Sequence, residues 1–330
     1  MKVLVTGSTG FIGNHVTRFC IEQGDDVRAM VMPGEDLSAL DGLDLEIIEG
    51  NLLDKKTLAK CVEGVDGIYH LAGLFSIWTK DPDLHLKVNV EGTNHLMKVA
   101  MESGVKKVVY TSSIAAFGVP DKGELLNEDT IFKGWECAGA YVMSKFVSHN
   151  LVKGMVVDGL PATIVCPGFP FGPGDRAPTP TGSLIVSILK GKMRNYFEGG
   201  ISAVDVRDVA RGHLLAMKKG RIGETYLLAN RDGNISQREF ARLVGDIAEI
   251  PDVAVKEISP TVMKTVAKVL EAWSFFSGRP PLTTIRNSMY ALREVYSDPT
   301  KAIEELGLPQ TPIEIAVKDS IDWFRDNGYV

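Results

Sequence analysis

The sequence lacks any run of basic residues, and its 330 residues carry a formal net charge of −6. That balance excludes nucleic acid as the main partner. No apolar run reaches the length of a bilayer span, so no membrane-crossing segment is expected. Cysteine is scarce. Cys20, Cys61, Cys137 and Cys166 are scattered, with no C-x-x-C pair. Such spacing offers no metal site and fits a reducing, cytoplasmic compartment. A strand at the very start leads to the expectation of no signal peptide. No repeat or low-complexity stretch interrupts the chain. What is present is an ordinary globular composition, 45% apolar and 24% charged, at about twice a typical single-domain length.

The most informative segment comes first. Lys2-Val-Leu-Val-Thr6 is an apolar strand, with Val3–Val5 expected to be buried, and it runs into Gly7-Ser-Thr-Gly10-Phe-Ile-Gly13. Gly7 allows a tight turn, Gly10 lets the backbone approach a ligand, and Gly13 lets the next helix pack closely. The helix N-terminus then directs unpaired N–H groups at a pyrophosphate. The spacing is G-x-x-G-x-x-G, a variant of the commoner G-x-G-x-x-G.

Strand and helix alternate through the first two-thirds. A helix over 11–23 is followed by strands at 26–31 and 45–49, a helix at 55–62 and a strand at 66–71. An amphipathic segment over 84–103 precedes a strand at 107–111, and a helix over 141–157 precedes a strand at 162–166. This order predicts an α/β fold: a doubly wound parallel sheet with helices on both faces. From Cys166 to Gly182 proline and glycine cluster, which predicts a long loop with no regular element of its own. That loop opens a smaller, mixed and mostly helical lobe. Residues 1–168 with about 201–230 form the dinucleotide-binding unit, because a helix over 205–218 and a strand over 224–229 look like a return to the sheet. About 169–200 and 231–330 form the substrate lobe. Ser236-x-x-Glu239 and Thr311-Pro-Ile-Glu314 read as capping boxes that start later helices, with Pro312 at the first helical position.

Tyr141-Val-Met-Ser-Lys145 places a phenol and an ammonium on one helix face. Lys145, together with an oxidised nicotinamide ring, would stabilise phenolate and lower the Tyr141 pKa. A phenol so tuned exchanges a proton with a carbonyl or alcohol oxygen. Taken alone, the pair also fits a surface tyrosine and lysine. Tyr110-Thr-Ser-Ser113, however, ends the fifth strand at the sheet edge where ligands of such folds bind.

The full set comprises Thr6-Gly-x-x-Gly10-x-x-Gly13, His70-Leu-Ala-Gly73, Asn89-Val-Glu-Gly-Thr93, Thr111-Ser-Ser113, Tyr141-x-x-x-Lys145 and Val206-Arg-Asp-Val-Ala210. It resembles the extended short-chain dehydrogenase/reductases over nearly the whole chain, which implies a Rossmann sheet. Within them the likeness is to dihydroflavonol-reductase-like proteins and hopanoid-associated sugar epimerases, carried by Phe75-x-x-Trp78-x-Lys-Asp-Pro82 and Ala177-Pro-Thr-Pro-Thr-Gly182. The resemblance implies that Ser113 is the catalytic serine, beside Ser112, with Tyr141 as acid/base and Lys145 as its partner. Asn89 organises the neighbouring helix and a water path. Gly7, Thr9, Gly10, Phe11, Ile12 and Gly13 would hold the cofactor phosphates, with Asn51-Leu52 at the adenine. Leu71, Ala72, Gly73, Thr111 and Ser112 would line the cofactor, and Pro167, Gly168 and Phe169 would cover the nicotinamide. The likeness also implies a homodimer through the helices at 84–103 and 141–157.

Cofactor choice rests on the end of the second strand, where an acid holds the 2′-hydroxyl of NAD or an arginine the 2′-phosphate of NADP. The related reductases carry an arginine where Met32 stands. Arg28 lies two pleats back, as a cofactor contact or a solvated charge. Glu35 and Asp36 follow and would repel a phosphate. The family likeness favours NADP, and the residues leave NAD open.

Phe75, Ile77, Trp78, Phe169 and Phe171 form either an apolar substrate pocket or core. The segment 261–276, with Val262, Val266, Val269, Leu270, Trp273 and Phe276, is either the lobe's packing face or a membrane-surface helix; the packing face is the expectation adopted. Three functions fit a small-molecule substrate: a reductase or dehydrogenase using NAD(P), a nucleotide-sugar epimerase or dehydratase that retains NAD, and a non-catalytic nucleotide sensor.

Overall fold

The computed structural model describes residues 1–330 except Ile77 and the side chain of Phe275. The pocket role expected of Ile77 therefore lies outside the described residues.

The chain order is β1 (Lys2–Thr6), α1 (Phe11–Glu22), β2 (Asp26–Val31), β3 (Glu46–Glu49), α2 (Lys55–Val62) and β4 (Gly67–His70). Then α3 (Leu84–Leu86) passes through a π-helical stretch (Lys87–Gly92) into α4 (Thr93–Glu102). Next come β5 (Lys107–Thr111), α5 (Ala140–Val157), β6 (Ala162–Pro167), β7 (Phe169–Phe171), α6 (Pro180–Leu189), β8 (Gly200–Asp205), α7 (Val206–Lys219) and β9 (Thr225–Leu228). The remainder is β10 (Asn234–Ser236), α8 (Gln237–Ala248), α9 (Pro260–Ser277), α10 (Ile285–Ala291), β11 (Glu294–Val295) and α11 (Ile313–Asp326).

Seven strands form one parallel sheet in the order β3-β2-β1-β4-β5-β6-β9. Their sequences are near-continuous apolar runs because both faces are covered. Val3, Val5, Val109 and Val165 pack on one face, and Leu4, Ile68, Val108 and Ile164 on the other. Each such side chain contributes about 1.5–3 kcal/mol on burial. The order reverses between β1 and β4, and the carboxyl ends there form the crevice where ligands of open α/β sheets bind.

A smaller sheet joins β10, β8 and β11, with β7 also paired to β8. Its core gathers Phe171, Phe240, Val244, Val317 and Phe324. Three expectations change here. The proline- and glycine-rich loop is not irregular throughout, because Phe169–Phe171 pairs with β8 and α6 starts at Pro180 under a Thr179 cap. Gly200–Asp205 belongs to the small sheet, so the chain re-enters the main sheet only with α7 and β9. Of the two capping boxes, the one at Ser236 and Glu239 forms. Thr311 does not cap α11; its amide and hydroxyl both donate to the Asp208 carboxylate, at 2.6 and 3.0 Å. A buried carboxylate is the stronger acceptor in that competition.

Candidate active site

The first turn is built from backbone. Gly7 has φ +71°, and a Cβ on Gly13 would lie 1.9 Å from the Gly7 carbonyl oxygen. Only glycine fits at Gly13 without moving the loop. Gly10 caps α1 with no side chain, so the first-turn amides of Phe11 and Ile12 face the turn without a side-chain acceptor. A cradle of this kind fits a dinucleotide pyrophosphate.

The wall opposite is pinned by a buried chain of hydrogen bonds. Thr6 Oγ1 accepts from the amides of Leu71 and Ala72, at 3.2 and 3.0 Å. Its own proton therefore goes to His70 Nδ1, 2.9 Å away, and His70 Nε2 donates to Thr93 Oγ1 at 3.0 Å. Gly73 follows, exposed, and a Cβ there would lie 3.1 Å from Asn89 Oδ1 and 3.8 Å from Lys145 Nζ. The polar chain through His70 carries no obvious periodic signal in the sequence.

Asn89 sits inside the π-helical stretch, a local distortion common at functional sites. Its carbonyl oxygen accepts from Leu74 N at 2.7 Å, and its amide donates to Leu74 O at 3.0 Å and Ser144 Oγ at 2.9 Å. Ser144 in turn donates to the Tyr141 carbonyl at 2.7 Å. Asn89 thus ties the loop after β4 to α5. Ser144 was not singled out from sequence; its place between Tyr141 and Lys145 is the only signal for it.

Alternation along the end of β5 sorts the three hydroxyls. Thr111 Oγ1 donates to His213 Nε2 at 2.9 Å, because His213 Nδ1 donates to Val209 O. Ser112 Oγ pairs with His149 Nδ1 at 3.0 Å. Ser113 has extended backbone, φ −167°, and its hydroxyl accepts from Ala115 N at 3.1 Å. Ser113 also hydrogen-bonds Tyr141, which pulls the phenol pKa down. The side chains of Thr111 and Ser112 are therefore turned into the core, and Ser113 alone of the three meets the phenol.

Burial outweighs that hydrogen bond and pushes the Tyr141 pKa up to about 12. The depression expected from Lys145 together with an oxidised nicotinamide belongs to the cofactor-bound site; in the protein alone burial sets the direction. Burial brings the lysine down to about 8, and its ammonium donates to the Thr111 carbonyl at 3.1 Å while lying 5.9 Å over the Tyr110 ring. The Phe75 ring stacks on Tyr141 with centroids 4.7 Å apart. Trp78 is half-buried on the same loop, whose backbone is held by Ser76 and His85. Pro167 ends β6, Gly168 donates to Leu228 O, and Phe169 is half-buried where the two sheets meet.

Several expected contacts move. Phe171 is only 1% exposed and packs on Phe240, centroids 4.6 Å apart, so it is lobe core and lines no pocket. Arg28 points to the other end of the sheet: it donates to the carbonyls of Cys61 and Glu63 and pairs with Glu46. It is unavailable to a cofactor phosphate. Asn51 folds its carbonyl oxygen onto Leu53 N, and the Leu52 side chain is buried in the core, leaving backbone and the Asn51 amide group at that edge. Met32 is exposed, and Glu35 accepts from its amide at 2.7 Å while hydrogen-bonding Thr9 Oγ1.

The buried imidazoles around the site make stability acid-sensitive. Burial lowers His70 to about 3 and His149 and His213 to about 4. Unfolding restores an ordinary value near 6.5, so the unfolded state binds more protons and stability falls as pH drops from about 6.5 to 4. Asp175, raised to about 6 by burial, opposes one of the three. The lowered imidazoles, His15 included, outnumber the raised carboxyls of Asp175, Glu128 and Asp208, so unfolding takes up protons near pH 5. Thermal unfolding at pH 5 is expected several degrees below that at pH 7; equal midpoints would contradict the neutral, buried imidazoles.

Comparison with known proteins follows the same lines. The model of the NAD dependent epimerase/dehydratase family matches residues 3–229. A putative dihydroflavonol 4-reductase of Synechocystis is 36% identical, covering 99% of this chain and 95% of that protein. Sterol demethylase protein B of Methylococcus capsulatus is 34% identical, covering 100% of each. The crystal structure of gox2253 superposes with a TM-score of 0.88 at 38% identity, over 99% of both chains. The chain belongs to the NAD-dependent epimerase/dehydratase family.

Proposed function

We propose that this protein is a nicotinamide-dependent oxidoreductase that reduces a carbonyl, or oxidises the matching alcohol, on a small apolar substrate. The observation that carries this reading is the convergence of Ser113, Tyr141 and Lys145 at the carboxyl edge of β5, with the Phe75 ring on Tyr141. The dinucleotide supplies or accepts the hydride when bound. Tyr141 hands its proton to the carbonyl oxygen as charge develops there, and Ser113 orients that oxygen. Lys145, one turn along α5 from Tyr141 and fixed by the Thr111 carbonyl, is the ammonium that would stabilise the phenolate left behind. The names of two relatives, a dihydroflavonol reductase and a sterol demethylase protein, support a ring-bearing apolar substrate.

The family likeness pointed to NADP, but the residues at the end of β2 support NAD. Glu35 stands beside Thr9 with its carboxylate at the edge of the glycine turn, and no arginine replaces Met32. A carboxylate there accepts from a ribose hydroxyl and repels a phosphate. Arg286, one of the arginines a sugar diphosphate would need, instead donates to the Ala138 carbonyl at 2.6 Å.

The test is to denature the purified protein, assay released nucleotide, and then follow oxidation of added NADH with ring-bearing ketones. An empty or exchangeable site with turnover is expected. Stoichiometric retained NAD, with epimerisation of a nucleotide sugar and no net reduction, would replace this reading with an epimerase. Cofactor binding without turnover on ketones, alcohols or nucleotide sugars would favour a sensor.

A further inference from the structure

The outer surface of α9 was expected to be packed, and it is not. Val262, Val266, Val269 and Trp273 are between 48% and 66% exposed, and Phe276 is exposed one turn further on. Their spacing puts them in one row along the helix. The buried positions of α9 are the small residues Ala267 and Ser274. Among the described side chains, α9 packs through Met263, Ala267, Leu270 and Ser274 and turns the valines of the row and Trp273 to solvent. Single exposed apolar residues are ordinary, but a contiguous row marks an interaction surface.

Charge indicates what covers it. Lys264, Lys268 and Glu271 lie on the other side of the helix from the row. Residues 256–286 hold five Lys or Arg and two Glu, a local positive excess in a chain whose formal net charge is −6. An anionic surface would be complementary to it. The geometry is that of a helix lying in a lipid interface, apolar on one side and cationic on the other. It lies on the membrane and does not span it: among the described residues no helix is long and apolar enough to cross.

The position is also suggestive of use. The carboxylate of Glu271 on α9 accepts from Ile285 N at 3.1 Å, and α10 packs on α9. Arg286 of α10 donates to the Ala138 carbonyl, two residues before α5, and Tyr290 packs in the same cluster as Tyr141. A surface that engages α9 is thus one helical hairpin from the catalytic phenol.

We propose that α9 docks this protein onto a membrane surface bearing anionic lipid. The row from Val262 to Trp273 enters the boundary between headgroups and acyl chains, and Lys264 and Lys268 face the headgroups. The inference stands on α9 alone and not on the reaction proposed above.

The experiment is flotation of the full-length protein with extruded vesicles of phosphatidylcholine, with and without phosphatidylglycerol. Binding to the anionic vesicles is expected, weaker at high salt and weaker without phosphatidylglycerol. Val269→Asp combined with Trp273→Asp should lower the bound fraction about tenfold, while Val269→Leu combined with Trp273→Phe retains it. Thermal unfolding and cofactor binding should be unchanged in both, because these side chains are exposed. Sedimentation velocity of the same variants supplies the alternative. Failure of the wild type to float with anionic vesicles, equal flotation of the aspartate variant, or a smaller particle in that variant without any vesicle binding would overturn the proposal. The last result would assign the row to a second copy of the chain.

Discussion

Tyr141→Phe is expected to lower carbonyl reduction about 10³-fold, with cofactor affinity and KM close to those of the wild type. The substitution removes one oxygen and little else. The ring keeps its stacking on Phe75 and its place beside Val142 and Tyr290. Ser113 keeps its bond from Ala115 N and Lys145 its bond to Thr111 O, so the neighbouring donors stay where they are. What is lost is the acid proposed to meet the developing alkoxide, an interaction made in the transition state and not in the ground state. The loss therefore falls on kcat. Ser113→Ala should cost less, because the phenol still reaches the oxygen without its orienting partner. Single-turnover rates for the three proteins, with NADH binding measured by fluorescence in parallel, check the ranking. A Tyr141→Phe enzyme within tenfold of wild type would remove Tyr141 from the chemistry.

Much of this site was legible because the relevant patterns are local. The glycine turn, the strand ends and the four-residue spacing of Tyr141 and Lys145 depend on period and backbone sterics, and these survive any tertiary arrangement. β2 and α2 begin and end where the strand–helix alternation places them. Decisions made by packing were not legible. Whether Ser112 or Ser113 meets the phenol depends on which strand face points at α5, and His149, distant in sequence, takes Ser112. Phe171 looked like a pocket residue because its loop is rich in proline and glycine, yet three residues of that loop pair with β8 and carry the ring into the lobe core. Arg28 looked like a phosphate ligand until the end of α2 supplied two carbonyl acceptors at the opposite end of the strand. In the protein alone, burial, a tertiary property, sets the direction of the Tyr141 pKa.

Exchanging the residues at the end of β2 should reverse the cofactor preference. Wild-type protein is expected to bind NAD more tightly than NADP by about a hundredfold at low salt. The reason is electrostatic: the Glu35 carboxylate is anchored by Met32 N and Thr9, so it cannot swing away from a 2′-phosphate without giving up both bonds. Like charges held this close repel, and salt weakens the effect because the residue is exposed. Glu35→Ser should relax the preference about tenfold by removing the repulsion alone. Adding Met32→Arg introduces a guanidinium at the exposed strand end, where bidentate bonds to a phosphate cost no burial, and should carry the preference past equality. The two steps separate repulsion from attraction, and both should shrink when the titration is repeated at high salt against NAD as the neutral-ribose reference, because both charges are exposed. Dissociation constants measured by calorimetry, with no substrate present, read this without reference to turnover. A wild-type protein that binds NADP as tightly as NAD would show that Glu35 leaves the 2′ position free.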